Sequence, residues 1–371
     1  MTPKISIIIL NWNGWEDTIE CLESLYQIAY PNYEVILVDN NSQDDSIVKI
    51  KDYCQGKIKV ESKFFKYDPN NKPIKIIDCK GKKSGASKEK EVERLLLNKK
   101  LVLIKNRDNL GFAGGNNIGI RYALAKEDCE YIWLLNNDTV VDRHALSEMV
   151  KLAESDSKIG IIGSKVLFYD SPDTIQAVGG KDKAGWAFAT IYEGEFEKDD
   201  KKWCKNIELH GYIIGASLLV KRKVIDDIGL MDNKYFMFNE EIDWGVRAKK
   251  RKWRLFGCGK SKLWHKAGRA HSRELKRKKN FLGKPIRVYN FKGFAFRKYY
   301  ETRNGIYFVK KNFPKYFLPF CLFVLPLKTI YKIVEVILYN DCKVKRMKII
   351  FRAIHDGMIG KMGKTIGPKT L

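Results

Sequence analysis

Asp138 follows an apolar run and is the residue whose position most clearly suggests metal chemistry. Residues 131–135 are apolar, and Asn136, Asn137 and Asp138 come directly after them. Such a run predicts a strand buried on both faces, and ligands of open α/β sheets bind at the carboxyl ends of strands. A carboxylate beside amides suits a hard divalent ion, Mg²⁺ or Mn²⁺, that also takes substrate phosphates as ligands. For these residues alone a polar turn is the alternative, since Asn and Asp are common turn residues.

A second group of carboxylates could perform acid–base chemistry. Glu240, Glu241 and Asp243 stand at the predicted start of a helix, after an apolar stretch that contains Phe236 and Phe238. Acidic residues are favoured in the first helical turn on dipole grounds alone. Three carboxylates beside aromatic rings also form an environment that raises a carboxyl pKa, as a general base requires.

Parallel strands must bring these groups to one edge of a sheet. Two apolar runs, residues 5–10 and 33–38, are joined by a helix-periodic segment and form a predicted βαβ unit with neighbouring parallel strands. Asn11 and Asp39 follow these strands, so Asp39 is placed to accept hydrogen bonds from a ribose or a base. A helix N-cap is the alternative role for Asp39. His265 also follows a strand-like segment and could point to the same edge.

A glycine-rich turn follows the next strand of the sheet, predicted at residues 101–104. Residues 109–117 read Asn-Leu-Gly-Phe-Ala-Gly-Gly-Asn-Asn and lead into a helix. Glycines here let backbone amides approach a phosphate or a sugar closely. The spacing is neither GxGxxG nor a P-loop, so it indicates neither a nicotinamide cofactor nor a Walker-type ATPase.

The charge of the chain predicts an anionic partner. The formal net charge of +25 favours nucleic acid, an anionic membrane or phosphorylated substrates. Aromatic-interleaved basic motifs of a nucleic-acid-binding module are missing from the sequence, which makes nucleic acid the least favoured of the three. The eight cysteines are scattered singly, so neither a zinc site nor a disulfide framework is indicated. With no export signal recognised at its start, the chain is expected in a reducing cytosol.

Six motifs together resemble glycosyltransferase family 2, and in particular its rhamnosyltransferase-like branch. The resemblance extends over about residues 4–310. The motifs are Ile-Leu-Asn-Trp-Asn-Gly, Val-Asp-Asn-Asn-Ser, Asn-Leu-Gly-Phe-Ala-Gly-Gly-Asn-Asn, Leu-Leu-Asn-Asn-Asp, Glu-Glu-Ile-Asp-Trp-Gly-Val-Arg-Ala and Trp-His-Lys-Ala-Gly. The resemblance implies an α/β GT-A fold with a Rossmann-like, mixed but mainly parallel sheet and flanking helices.

The resemblance also implies roles for single residues. Asp138 and His265 would bind a divalent metal ion, and Glu241 matches the position of the catalytic base, with Asp243 as the alternative and Glu240 beside them. Asn136 stands where the family often has an aspartate. The residues implied to bind the nucleotide-sugar are Asn11, Asp39, Asn109, Gly111, Gly114, Asn116, Asn136 and Asn137.

The implied activity is an inverting sugar transfer from a nucleoside-diphosphate donor to a hydroxyl of a glycan or lipid-linked glycan, in the assembly of a cell-surface polysaccharide or glycoconjugate. The branch points to L-rhamnose as the sugar. The ion offsets the charge of the departing diphosphate, and the anomeric carbon becomes oxocarbenium-like. One carboxylate suffices for a one-step inverting reaction, because it only deprotonates the acceptor. A catalytically weak nucleotide-sugar-binding relative is the alternative, given Asn136 and Glu241.

Composition divides the chain into two predicted parts. Residues 1–270 form the glycosyltransferase domain, with a Lys-rich insertion at about residues 55–100 that contains a small hairpin at residues 74–77 and a helix near residues 89–97. Residues 271–371 form a basic, helical C-terminal region.

Residues 313–339 of this region are apolar at their centre and bracketed by lysines. They are expected to lie in the plane of an anionic membrane rather than to span it. Packing against the catalytic domain is the alternative. The expected location is the cytoplasmic face of the cell membrane.

Overall fold

A central β-sheet organises the fold of the computed structural model, which describes residues 2–79, 99–182, 190–266, 274–279, 285–289 and 291–367. The strands are, in chain order, β1 (Ile5–Asn11), β2 (Tyr33–Asp39), β3 (Lys75–Cys79), β4 (Lys100–Lys105), β5 (Tyr131–Asn136), β6 (Thr139–Val141), β7 (Ile159–Phe168), β8 (Ile175–Ala177), β9 (Gly180–Asp182), β10 (Thr190–Tyr192), β11 (Ile207–Glu208), β12 (Ser217–Lys221), β13 (Arg254–His265), β14 (Glu274–Lys279) and β15 (Pro285–Tyr289).

Helices cover both faces of the sheet. They are α1 (Trp15–Leu25), α2 (Ser46–Cys54), α3 (Gly111–Leu124), α4 (Ala145–Ser155), α5 (Arg222–Ile228), α6 (Glu240–Lys250), α7 (Phe291–Asn312), α8 (Leu325–Tyr339) and α9 (Lys343–Met358). A short α-helical turn, Phe317–Pro319, and a π-helix, Phe320–Val324, lead into α8.

The strand order of the main sheet is β11-β13-β7-β12-β5-β1-β2-β4-β3. Strands β3, β4, β2, β1 and β5 are mutually parallel. Strand β12 runs antiparallel between β5 and β7, and β13 runs parallel to β7. The expectation of a mixed, mainly parallel sheet with flanking helices is confirmed.

Alternating side chains along the strands build two hydrophobic layers. Ile5, Ile7 and Ile9 of β1 pack with α1, α2 and α4 on one face, whereas Ile8 packs with α3, α5 and α6 on the other. Burial of both faces is why the strands read as continuous apolar runs. The polar residues that follow these runs are left at the carboxyl edge.

A first correction concerns residues 74–77, which the sequence predicts as a small hairpin. Residues Lys75–Cys79 instead form β3, a single edge strand parallel to β4. The buried Glu23 of α1 accepts a hydrogen bond from Lys72 Nζ at 2.7 Å, which holds the segment before β3 against α1. Lys75 then pairs with Lys100 at the start of β4, and the two strands run in the same direction. The helix predicted near residues 89–97 lies outside the described residues.

Residues 210–220 form an apolar run with small residues at its start, a pattern that predicts one strand, and this prediction needs a second correction. Regular strand begins only at Ser217, and a turn precedes it. In this turn the Ala216 carbonyl accepts a hydrogen bond from the backbone N–H of Asn136 at 3.1 Å. The turn is thus fixed at the edge of the sheet that carries Asp138.

The helix α7 extends the packing around α6. Ile242 and Val246 of α6 share one hydrophobic cluster with Ile306 and Val309 of α7. The predicted division near residue 270 therefore lies between segments that share a core, and it remains a prediction from composition.

None of the helices in the described part of the chain combines the length and apolar character needed to cross a membrane.

Candidate functional site

Asn11 and Asp39 lie side by side at the carboxyl ends of β1 and β2. The parallel register pairs them directly, and Asn11 Nδ2 donates to Asp39 Oδ1 at 2.9 Å. Ser42 Oγ donates to the same oxygen at 2.6 Å, and the Ser42 N–H donates to Oδ2 at 3.0 Å. A carboxylate offers about four acceptor positions, so Oδ2 keeps capacity for one more donor. A contact of Asp39 with a ribose or base stays a prediction, and this oxygen could make it.

The two amides that precede Asp138 point in different directions. Asn137 Nδ2 donates to Thr18 Oγ1 at 3.0 Å, and this hydroxyl lies 2.9 Å from Asn11 Oδ1. Asn137 therefore ties the end of β5 to the β1–α1 connection. Asn136 Nδ2 instead lies 3.5 Å from His265 Nε2. Of the two amides, Asn136 is the better placed to meet a ligand.

Asp138 and His265 form a close pair at this edge. His265 ends β13 and pairs with Thr139 of β6, which brings its Nε2 to 3.1 Å from Asp138 Oδ1. His265 Nδ1 lies 2.9 Å from Gln176 Oε1. An amide oxygen can only accept, so Nδ1 carries the proton. A neutral His265 consequently directs the Nε2 lone pair at the Asp138 carboxylate.

The pair has the spacing of two metal ligands. Two acceptors that face each other need a proton or a cation between them, and adjacent ligands of an octahedral ion with bonds of about 2.1 Å lie about 3.0 Å apart. Within the described ranges no group of three or more His, Cys, Asp or Glu side chains forms a larger cage. Asp138 and His265 thus fit the protein ligands of an open divalent-ion site, which would leave the other positions of the ion to water and phosphate oxygens.

The glycine-rich stretch is held by Asn40, directly after β2. Asn40 Nδ2 lies 3.1 Å from both Asn109 Oδ1 and the Gly111 carbonyl oxygen, which accept its N–H bonds. Gly111 has a φ of +72°, and a Cβ on it would come within 2.1 Å of the Phe236 carbonyl oxygen. Glycine is required here so that the loop containing Phe236 can reach α3, where the Phe112 N–H donates to that carbonyl at 2.6 Å.

Gly114 and Asn116 serve the packing of the same helix. A Cβ on Gly114 would lie 2.8 Å from the Cβ of Leu110. Asn116 Nδ2 donates to the Phe112 carbonyl at 3.0 Å, and Asn117 Nδ2 donates to the Met231 carbonyl at 2.8 Å. The predicted contact of this stretch with a nucleotide-sugar stays a prediction from the resemblance.

Glu240 and Glu241 begin α6 as expected. In the part of the chain that the structure describes, each has a buried Oε2 atom without a hydrogen-bond partner. Burial raises the pKa of Glu241 to about 7, although helix N–H groups and Arg297 act in the opposite direction. Burial and the charge of Glu241 raise the pKa of Glu240 well above its usual range. A carboxyl group with a pKa near neutrality suits general-base catalysis.

Asp243 is engaged differently, and the geometry argues against it as the alternative base. Its Oδ1 accepts hydrogen bonds from Tyr235 Oη at 3.2 Å and Asn312 Nδ2 at 2.8 Å. Its Oδ2 accepts from Arg247 Nε at 2.9 Å and Lys311 Nζ at 3.0 Å. These four donors occupy about all the acceptor positions of a carboxylate. Asp243 therefore anchors α6 to α7.

The turn before β12 connects the two parts of the site. Its Ala216 carbonyl accepts the hydrogen bond from the backbone N–H of Asn136 described above. Tyr212, four residues before Ala216, packs with Ile242 and Val246 of α6, and burial, Tyr192 and the charge of Glu241 raise its pKa. Helix α6, which carries Glu240 and Glu241, thus lies beside the segment before β12, and this segment is bonded through Ala216 to the end of β5.

Sequence reasoning missed two residues of this arrangement. Asn40 follows Asp39 directly, and a second polar residue at a strand end was the available signal. Gln176 orients the His265 ring, but its short strand β8 has no motif, so only the alternation Ile-Gln-Ala marks it as polar and differently directed.

Two protein-family models match the chain. The model described as "Glycosyltransferase like family 2" matches residues 81–280, which is more than half of the 371 residues. The model described as "Glycosyl transferase family 2" matches residues 6–87. Together they include every residue predicted for the site.

Two relatives and one solved structure show the extent of the similarity. The "Low-salt glycan biosynthesis hexosyltransferase Agl10" of Haloferax volcanii is 23% identical over 258 residues, which are 70% of this chain and 66% of that protein. "Hyaluronan synthase 2" of Homo sapiens is 26% identical over 160 residues, 42% of this chain and 27% of that protein. The chain thus spans less than two thirds of either relative. The crystal structure of GalNAc-T7 with UDP, GalNAc and Mn²⁺ aligns with a TM-score of 0.48 and 13% identity, covering 71% of this chain and 44% of that chain.

Proposed function

Since this chain belongs to glycosyltransferase family 2, we propose that it transfers a hexose from a nucleoside-diphosphate donor to a hydroxyl group during glycan assembly. The observation that carries the proposal is the Asp138–His265 pair, because its 3.1 Å spacing at the end of β5 suits a divalent ion that holds a diphosphate.

Donor binding would use the polar residues at the carboxyl edge. Asp39 Oδ2 accepts a hydrogen bond from the nucleoside, and Asn11 holds the carboxylate in place. Asp138 and His265 would hold the metal ion, and the contact of Gln176 with Nδ1 would keep His265 Nε2 free to bind it. A bound Mg²⁺ or Mn²⁺ supplies Lewis-acid stabilisation of the charge on the departing diphosphate.

Acceptor activation would use Glu241. Its raised pKa lets it take a proton from an acceptor hydroxyl near neutral pH. Asp243 cannot easily share this role because four donors already engage its oxygens. With one base and no carboxylate assigned as nucleophile, the transfer proceeds in one displacement and inverts the anomeric centre.

A donor screen tests the proposed activity. The chain is incubated with a panel of UDP-, GDP- and dTDP-sugars and either metal ion, and release of nucleoside diphosphate is measured. dTDP-L-rhamnose is tested first, because the motifs resemble the rhamnosyltransferase-like branch of the family. We expect slow, metal-dependent hydrolysis of one donor, with inversion seen by NMR when a hydroxyl acceptor is added. Absence of both hydrolysis and donor binding across the panel would contradict the proposal.

We also propose that the enzyme docks on the cytoplasmic face of an anionic membrane, where a lipid-linked glycan acceptor would be presented. Six apolar side chains in and before α8 are 56% to 68% exposed: Leu318, Leu322, Phe323, Leu327, Ile330 and Leu338. Several of them recur at three- and four-residue steps, and the π-helix accommodates the five-residue step between Leu322 and Leu327. Exposed lysines at 315, 343, 345 and 348 add favourable charge.

Vesicle binding tests this location. Leu327→Glu should lower affinity for vesicles that contain anionic lipid by about tenfold or more, because it replaces an exposed apolar side chain that would enter the membrane with a charge that anionic lipid repels. High salt should release only part of the wild-type protein, since screening weakens charge attraction but not apolar burial. Val48→Glu, at a 59% exposed residue of α2, is the matched control and should bind normally. Equal losses in both variants would refute docking through this face.

A further inference from the structure

The chain enters α6 through a loop with an unusual backbone. Within residues 234–239, Phe236, Phe238 and Asn239 have φ angles of +65°, +68° and +76°. Residues with side chains rarely adopt this region, and strained backbone persists only where the surroundings determine it. The loop contains no glycine, so its path must be imposed by contacts from elsewhere in the chain.

These contacts are made to the main chain of the loop. Every backbone carbonyl from Lys234 to Phe238 accepts a hydrogen bond from a residue outside the loop. The donors are Gly363 N to Lys234 at 2.9 Å, Arg303 Nη2 and Asn304 Nδ2 to Tyr235 at 3.0 Å each, Phe112 N to Phe236 at 2.6 Å, and Asn304 Nδ2 to Met237 at 2.7 Å and to Phe238 at 2.8 Å.

Asn304 is the centre of this arrangement. It is fully buried in α7, and the two N–H bonds of its amide are shared among three carbonyl oxygens. Its Oδ1 accepts hydrogen bonds from Arg303 Nε at 2.9 Å and Nη2 at 2.8 Å, which fixes the orientation of the amide. Only a primary amide offers these donors and this acceptor together.

Arg303 is itself held by the end of the described chain. Its Nη1 donates to the Gly363 carbonyl at 2.7 Å and to Thr365 Oγ1 at 2.8 Å. The guanidinium also lies 4.7 Å from the ring of Tyr300. The donors that face the loop therefore belong to a network with little freedom to rearrange.

We propose that Arg303 and Asn304 are positioning residues, which hold the carbonyls of the 234–239 loop and thereby fix the direction in which Glu241 leaves the first turn of α6. The inference rests on the proposed role of Glu241 as the base. The Asn239 carbonyl, next to the last held carbonyl, accepts the first helical hydrogen bond from the Asp243 N–H at 2.9 Å. A change in the loop is thus transmitted directly to the helix start.

Loosening of the loop should also be visible in the titration of Glu241. The titratable groups that face it are Glu240 on the same helix, Arg297 and Glu301 on α7, and the Tyr212 hydroxyl in the segment before β12. Water that enters around the carboxylate would lower its pKa towards the usual value, because burial is the main cause of the shift.

The experiment compares Asn304→Ala and Asn304→Asp with the wild type under metal-saturated conditions. Both variants should lower kcat by about 10²-fold, as expected when a reacting group is misplaced by about 1 Å, with the donor KM changed less than threefold. The pH at which kcat is half-maximal should fall. Asn304→Asp keeps the size of the side chain but replaces the amide donor with a carboxylate oxygen, which cannot donate to the three carbonyls. A side chain of the right size is therefore not expected to restore activity.

Tyr307→Phe on the same helix is the control, because Tyr307 Oη bonds to Asp232 outside the held carbonyls. It should retain kcat and the pH profile. If Asn304→Ala does not fold, Arg303→Lys tests the neighbouring donor to the Tyr235 carbonyl with the positive charge kept. Folded variants with wild-type kcat and pH profile would overturn the inference. A wild type that shows no transfer, or full activity in Glu241→Gln, would instead overturn the proposed function.

Discussion

Glu241→Gln is expected to lower the turnover number by about two orders of magnitude or more, which is the range assigned to general-base catalysis. Glutamine keeps the shape of the side chain and removes only its basicity. Donor affinity should change little, because Asp39, Asp138 and His265 remain. Steady-state kinetics with donor and acceptor varied separately, together with a nucleoside-diphosphate titration, measure the two effects.

The pH dependence gives the same prediction a second readout. Burial raises the pKa of Glu241 to about 7, so the base is mostly protonated below that pH and mostly charged above it. The wild-type turnover should therefore rise with pH up to about 7 and then level off, about tenfold per unit on the acidic side. The Gln variant should lack this rise.

Asp243→Asn provides the contrast. It removes the buried counterion of Arg247, whereas Lys311 keeps its ion pair with Asp232 at 2.7 Å. Breaking a buried ion pair of this kind costs about 3–5 kcal/mol of stability. We expect a lower unfolding midpoint, with turnover retained in the folded fraction. If folded Asp243→Asn is inactive while Glu241→Gln is active, the assignment of the base is reversed.

Asp138→Ala is expected to lower turnover by about 10³-fold, which corresponds to about 4 kcal/mol of transition-state stabilisation lost with a metal ligand. The fold should persist, because Asp138 lies at the end of β5 and not within its apolar part. Binding of Mn²⁺, followed by electron paramagnetic resonance with and without nucleoside diphosphate, should weaken in parallel.

Asp142→Ala is the matched control for this change. It removes a side chain of the same type four residues further along the chain, where Asp142 Oδ1 accepts a hydrogen bond from the His144 N–H at 2.9 Å. Metal binding and turnover should stay near the wild-type values. Full wild-type activity in excess chelator would contradict the metal role of Asp138.

The strands and the edge residues could be predicted because their signals are local. An apolar run that ends in a polar residue fixes both a buried strand and the side chain at its end, as for Asn11 and Asp39. The helix of Glu240 and Glu241 was equally visible, since acidic residues and helical spacing occur within one segment. The hairpin predicted at residues 74–77 is wrong because the direction of an edge strand depends on its pairing with a strand that is distant in sequence, here β4.

The loop before α6 lay beyond such reasoning. Tyr235 to Asn239 contain no glycine, and local propensity assigns no left-handed backbone to Phe236 or Phe238. The conformation follows from Asn304, more than sixty positions later, and from the amide of Phe112, more than one hundred positions earlier. The role of Asp243 was equally hidden, because its partners Lys311 and Asn312 come from α7.

Recognition of the loop through its carbonyl groups has a consequence for how acceptor range could diverge. Hydrogen bonds to the main chain do not depend on the side chains that the loop carries. Substitutions at Lys234, which is exposed and outside the left-handed positions, can therefore alter the local surface while the backbone path is kept. A library at this position should yield many folded, active members, and a screen of it for acceptor preference tests whether the surface of the loop contributes to acceptor choice.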